Sequence, residues 1–191
     1  MNLYTQCADR SWLLTAGGKT EAYLGLSAYV IFLRRSLNPD DECWTVLMRY
    51  TLRLLTAQQF QRASTLICAC EILRSQDPER LGTSPISIGL WVGQSLSPNT
   101  RDDALKALQN LRESDENPFQ VLQCPWCGTA LVEKPLGYKK NRHGSVQLVC
   151  AERSLCPFGR PRNPLPIKPI DEDIYESAPT FIVGTVDKFA M

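Results

Sequence analysis

The chain has almost no net charge, a single histidine and no long apolar run. Its 21 basic residues meet 20 acidic ones, so the molecule as a whole does not attract polyanions. Any nucleic-acid contact must come from local patches. No charged start leads into an apolar core with a small-residue cleavage site, and no apolar stretch approaches about eighteen residues. The most apolar helical pattern is interrupted by Arg34 and Arg35. These absences argue against a secretory leader and a membrane partner, and the chain reads as cytoplasmic. The lone histidine, His143, sits in a basic segment and reads as an exposed side chain, not a ligand. At 191 residues there is room for one medium domain, with or without a small insertion.

What is present begins with Leu13-Leu14-Thr15-Ala16-Gly17-Gly18-Lys19-Thr20. A phosphate loop turns successive backbone N–H groups toward the phosphates, which requires glycine at the closest approach. Lysine then neutralises the outer phosphates and threonine holds Mg2+. Gly17, Gly18, Lys19 and Thr20 supply these parts in order, as the cofactor-binding candidates for ATP and Mg2+. Leu13 stands where the full pattern has glycine or another very small residue. Ala16 stands where helicase versions carry another glycine, and alanine does not easily take positive φ. The plain alternative is a surface turn leading into a helix. Glu21 to Leu37 reads as that helix, placing Lys19 and Thr20 at an N-terminus whose dipole favours anions.

Ser11 to Leu14 is the only strand available to feed the loop. After the helix comes a turn at Asn38-Pro39-Asp40-Asp41 and an apolar run from Trp44 to Met48 that reads as a strand. Helical spacing follows from about Leu54 to Leu73, then a loop from Pro78 to Pro85 and a strand from Ile86 to Gly93. Asn99 or Thr100 caps a further helix through Leu111. A polar linker, Glu113 to Asn117, precedes a cysteine-bearing module, a proline-rich return from Pro161 to Pro169, and a strand from Thr180 to Val183. Strand, loop, helix and strand in this order open a right-handed parallel α/β unit. The domain boundaries expected are 1–117, 118–160 and 161–191.

Eight cysteines would suggest disulfides in a secreted chain, but nothing here directs export. Cys7 and Cys43 are scattered, and Cys68 and Cys70 stand about 200° apart around a helix, so they do not share a metal and read as buried apolar residues. Cys124-Pro125-Trp126-Cys127-Gly128 places two thiols on a tight turn, half of a tetrahedral zinc site. Cys150 and Cys156 supply the other half, beyond a hairpin tip in GYKKNRHGS. A segment this poor in large apolar side chains does not hold itself by burial alone, and zinc contributes roughly 10–16 kcal/mol in small modules. Four thiolates leave no open position for water, so the Zn2+ expected at Cys124, Cys127, Cys150 and Cys156 is structural. Reduced, unpaired thiols are the alternative. From Cys124 to Lys168 eight basic residues face two acidic ones, which suits phosphate contact or a solvated hairpin surface.

Taken together, these segments resemble the first motor domain of superfamily 2 helicases, and more closely the DrmA family, the helicase-like subunits of the DISARM anti-phage systems. GGKTEAYLGL is similar to the phosphate loop and following helix of that group. RYTLRLLTAQQFQRA resembles its motif Ia, with Thr51, Arg53 and Gln58 where other members carry the threonine, arginine and glutamine of PTRELAxQ. ISIGLWVGQSLSPNT is similar to the next strand and glycine turn. PTFIVGTVDKF resembles motif Ib, with Thr185 and Lys188 at phosphate-contacting positions. The resemblance implies a RecA-like parallel sheet with an inserted zinc ribbon and an ATP-driven motor on nucleic acid, DNA more than RNA. It also implies other subunits of a defence complex as partners.

Departures from that pattern shape the expectation. The aspartate and glutamate that orient magnesium and water belong at the end of a buried strand. The nearby Asp171-Glu172-Asp173 follows Pro166 and Pro169, so it reads as an acidic helix start or loop. No catalytic residue is assigned, and a second motor domain with its arginine fingers is not found. The expectation is therefore an incomplete P-loop domain, a fragment that binds nucleotide phosphates and nucleic-acid backbone without turnover. The alternatives are a zinc-ribbon binding module on a vestigial scaffold and a nonfunctional remnant.

Overall fold

A computed structural model describes residues 19–50, 53–93, 97–113, 119–132 and 136–189. The chain is an α/β structure in which four parallel strands lie in the order β1-β6-β2-β5: β1 (Val46–Tyr50), β6 (Phe181–Thr185), β2 (Ile88–Trp91) and β5 (Ile167–Lys168). Phe181 at the head of β6 pairs with both Val46 and Ile88, so strands far apart in sequence start level. A second sheet is the antiparallel hairpin of β3 (Tyr138–Lys140) and β4 (Val146–Leu148), which turns at the expected GYKKNRHGS tip. Ser11 to Leu14, and with them the expected feeding strand, lie outside the described residues.

Helix α1 (Lys19–Leu37) carries Glu21 in its first turn and Arg34 and Arg35 in its last, each sign matched to the helix dipole. Helix α2 (Arg53–Gln76) buries Phe60, Ala63, Ile67, Glu71 and Arg74, the three-and-four spacing of one helical face. Cys68 and Cys70 are both buried although they diverge, because α2 is covered on more than one side. It packs on the sheet and on α1, and its Thr65 hydroxyl donates to the Pro125 carbonyl of the cysteine module at 3.0 Å. Helix α4 (Arg101–Glu113) is capped as expected: the Thr100 hydroxyl accepts from the Asp103 amide at 3.2 Å.

Several boundaries differ from the sequence expectation. The strand expected at Trp44 to Met48 begins two residues later, because pairing starts where β6 does. The amides of Thr45 and Val46 both donate to the Thr180 carbonyl, and Trp44 is left exposed. The expected loop after α2 contains a one-turn helix, α3 (Pro78–Leu81), with Asp77 accepting from the Arg80 amide and proline in the first turn, where its missing N–H costs nothing. The proline-rich return holds β5 between Pro166 and Pro169, at a sheet edge where proline is tolerated. Asp171 to Asp173 open α5 (Asp171–Glu176), so of the two expected readings, helix start or loop, the structure has the helix start.

The cysteine module shares its core with the sheet. Phe119 stacks on Tyr138 with centroids 4.7 Å apart, and both belong to the buried cluster that includes Ile67, Leu90 and Phe181. Gly89 is pressed against α5: a Cβ there would lie 2.8 Å from Pro179 and 3.0 Å from Ile174. No helix among the described residues is long and apolar enough to cross a membrane.

Candidate functional site

The cysteine centre is the best-defined site. Cys124, Cys127, Cys150 and Cys156 bring four sulfurs within 4.8 Å of one another. Two turns build it. In the first, the Gly128 amide donates to the Cys124 carbonyl and the Cys124 amide to the Thr129 carbonyl, with Gly128 at φ +79° closing the knuckle. In the second, the Glu152 carboxylate accepts from the amides of Ser154 and Leu155, and the Cys150 amide donates to the Phe158 carbonyl.

The spacing tests what this centre can hold. A tetrahedral ion with metal–sulfur bonds of about 2.3 Å has sulfurs roughly 3.8 Å apart. The Cys124–Cys156 and Cys127–Cys150 separations are 3.9 and 3.4 Å, so the four residues fit a metal ion. Burial pushes the Cys124 thiol up to about 12, against the amides of Cys127 and Trp126. At Cys127 burial also raises the value, but the Thr129 hydroxyl and amide and the neighbouring thiols outweigh it and hold it at about 7. Ionising thiols that are largely enclosed is unfavourable without a counter-charge, which a divalent ion supplies.

Lys19 and Thr20, the described residues of the expected phosphate loop, belong to the carboxyl end of the parallel sheet, the end where open α/β sheets take their ligands. Lys19 and Thr20 open α1, with Lys19 exposed; Gly17 and Gly18 lie outside the described residues. The Glu21–Arg62 ion pair ties the start of α1 to α2, and Arg35 at its other end reaches the Pro39 carbonyl near Gly82, just past α3. The two helices therefore run in the same sense, with the α1 N-terminus at the carboxyl end of the sheet. Thr51 lies outside the described residues, Arg53 is the first residue of α2, and Gln58 is exposed on it.

Thr185 and Lys188, expected at phosphate-contacting positions, are both buried. Thr185, paired with Tyr50 at the end of β6, is 2% exposed. Lys188 donates its ammonium to the Asp171 carboxylate, with side chains only 6% and 3% exposed. Burial raises the Asp171 carboxyl above its ordinary value, and the Lys188 hydrogen bond and charge oppose that rise. The Asp171 Oδ1 and Thr185 Oγ1 atoms have no partner among the described residues. The pair was not foreseen from sequence; an acidic residue beside an edge strand, in a segment that must pack back on the sheet, was its only signal.

At the amino ends of the strands a cleft of about 990 Å³ opens between the sheet and the β3–β4 hairpin, with Arg35, Arg74, Arg101 and Arg162 among its lining. Two of these cations are paired internally. Arg74 makes two 2.8 Å bonds to Glu71, and Arg101 bridges Asp173 and Glu176 on α5. Glu71 also accepts from the Ile86 amide at 2.7 Å, so this ion pair anchors the entry to β2.

No family model matches the chain. A curated relative does: DISARM protein DrmA of Bacillus paralicheniformis, 38% identical over 201 aligned residues. The chain spans only 17% of that protein's length. Over 95% of its own residues, then, this chain is similar to DISARM protein DrmA, a much longer protein of which it matches one segment.

Proposed function

We propose that this chain carries part of the first motor domain of a helicase-like, ATP-dependent nucleic-acid motor in a phage-defence system. The single observation behind the proposal is the 38% identity to DrmA along 95% of the chain. The parallel sheet supports it, since Lys19 and Thr20 open a helix at the strand ends where phosphates bind in such folds. In this reading the Gly17 and Gly18 amides and Lys19 bind the ATP phosphates, and Thr20 faces Mg2+. Arg53 and Gln58 contact the backbone of DNA, with Thr51 beside them; Thr185 and Lys188, both buried, join that surface only when the Asp171–Lys188 pair opens. Zn2+ at the four cysteines is structural. The setting is the cytoplasm, among other subunits of the defence complex.

A titration with a fluorescent ATP analogue in Mg2+ tests it. The chain should bind and Lys19→Ala should weaken binding at least about tenfold, the loss of a charge-assisted phosphate contact. No turnover is expected, because no paired Asp-Glu stands at the end of a buried strand among the described residues. Equal binding by wild type and Lys19→Ala would refute the proposal.

A further inference from the structure

Beside its cysteines the module leaves two large apolar side chains in water. Trp126, between the first two cysteines, is 42% exposed, and Leu155, directly before Cys156, is 85% exposed. The sulfur contacts that join the two turns place both residues on the rim of one centre. The indole is also held: it meets Phe158 edge-on, with centroids 6.2 Å apart and planes at 75°. One part of the ring is thus fixed while another stays open, which keeps the entropy cost of stacking on it low.

Basic residues outnumber acidic ones around the two cysteine turns. Arg153 stands exposed on the second turn, and Arg160 follows Phe158 by two residues. The return loop is tied back to the module: the Asn163 side-chain amide donates to the Pro157 carbonyl and that of Gln147 on β4 to the Pro161 carbonyl. The local acid, Glu152, has its carboxylate occupied in building the turn. A fixed, half-open aromatic ring on a module that also exposes Arg153 and Arg160 suits a single strand: an unpaired base stacks while cations follow the phosphates. A duplex presents no free base face to the ring and would meet only the arginines.

We infer that the cysteine module is a single-stranded nucleic-acid contact site, in which Trp126 stacks on an unpaired base and Arg153 and Arg160 hold the flanking phosphates. The site rests on the nucleic-acid part of the proposed function but not on nucleotide binding, so its test omits ATP. Full chain purified with zinc would be titrated against a labelled oligo-dT of about 20 nucleotides, and a duplex of equal length, in about 50 mM salt. Trp126→Ala should weaken oligo-dT binding about tenfold, Trp126→Phe much less, and neither should change duplex binding. Arg153→Ala with Arg160→Ala should weaken both and flatten the salt dependence. Gln58→Ala, on α2, separates this site from the motor surface. Should Trp126→Ala lose its zinc, Trp126→Leu decides, since it keeps an apolar contact with Phe158 without an aromatic face. Unchanged oligo-dT binding in zinc-loaded Trp126 variants, or equal losses on single strand and duplex, would overturn the inference whether or not ATP binds.

Discussion

The Asp171–Lys188 pair joins the start of α5 to the turn after β6 and is nearly sealed from water, with side chains 3% and 6% exposed. Lys188→Met would strand a carboxylate whose Oδ1 already has no partner among the described residues, and Asp171→Asn would strand an ammonium. Breaking a buried pair from one side costs about 3–5 kcal/mol, whereas replacing both partners with apolar groups is often neutral or stabilising. Each single change should therefore lower the urea-unfolding free energy by about 3 kcal/mol or more, and Asp171→Leu with Lys188→Met should lie within about 1 kcal/mol of wild type. The pH dependence has a definite sign. A carboxyl whose folded value is raised binds its proton more tightly when folded, so falling pH favours the folded state. Removing Lys188 removes the opposing charge and raises that value further. The deficit of Lys188→Met should then shrink as pH falls from neutral toward the carboxylate range. Additive single effects below about 1 kcal/mol, or a deficit that grows on acidification, would refute the reasoning.

Glu71→Gln should destabilise by about 3 kcal/mol in the same assay, because it weakens two bonds to buried Arg74 and one to the Ile86 amide. Gly82→Ala should cost more than about 2 kcal/mol: Gly82 sits at φ +83° and a Cβ would lie 1.9 Å from the Pro39 carbonyl oxygen. Gly144→Ala, at φ +79° with nothing within 4 Å, should cost only about 1 kcal/mol, which isolates the backbone contribution from the clash. Elemental analysis should find one zinc per chain, lost in Cys150→Ser together with cooperative thermal unfolding; a metal-free chain that melts as sharply as wild type would contradict a structural centre.

Helices were legible where one face repeats and a cap is spelled out. Phe60, Ala63, Ile67 and Glu71 mark the buried side of α2, and Thr100 with Asp103 marks the start of α4. The four cysteines were legible because chemistry selects them regardless of what surrounds them. Strand limits were not, since β1 starts at Val46 only because Phe181, far along the chain, starts there too. A residue's place in a motif also leaves its partner open. Lys188 matches a phosphate-contacting position, yet a carboxylate seventeen residues earlier takes its charge, and that pairing depends on how α5 packs, not on local pattern. The short strand β5 was hidden by its flanking prolines, which bar a central strand but not an edge.

The cysteine centre and the sheet are bound together by more than chain connectivity. Thr65 on α2 holds the Pro125 carbonyl of the first knuckle, Ser145 in the hairpin reaches Asp173 on α5, and the Leu165 amide, just before β5, donates to the Leu148 carbonyl of β4. Each link joins the module to an element that also touches β2 or β5. Asp173 in turn holds Arg101, the first residue of α4, so hairpin, α4 and α5 meet at one carboxylate. Loosening the two cysteine turns would therefore disturb the packing of α2 and α5, not a detached appendage.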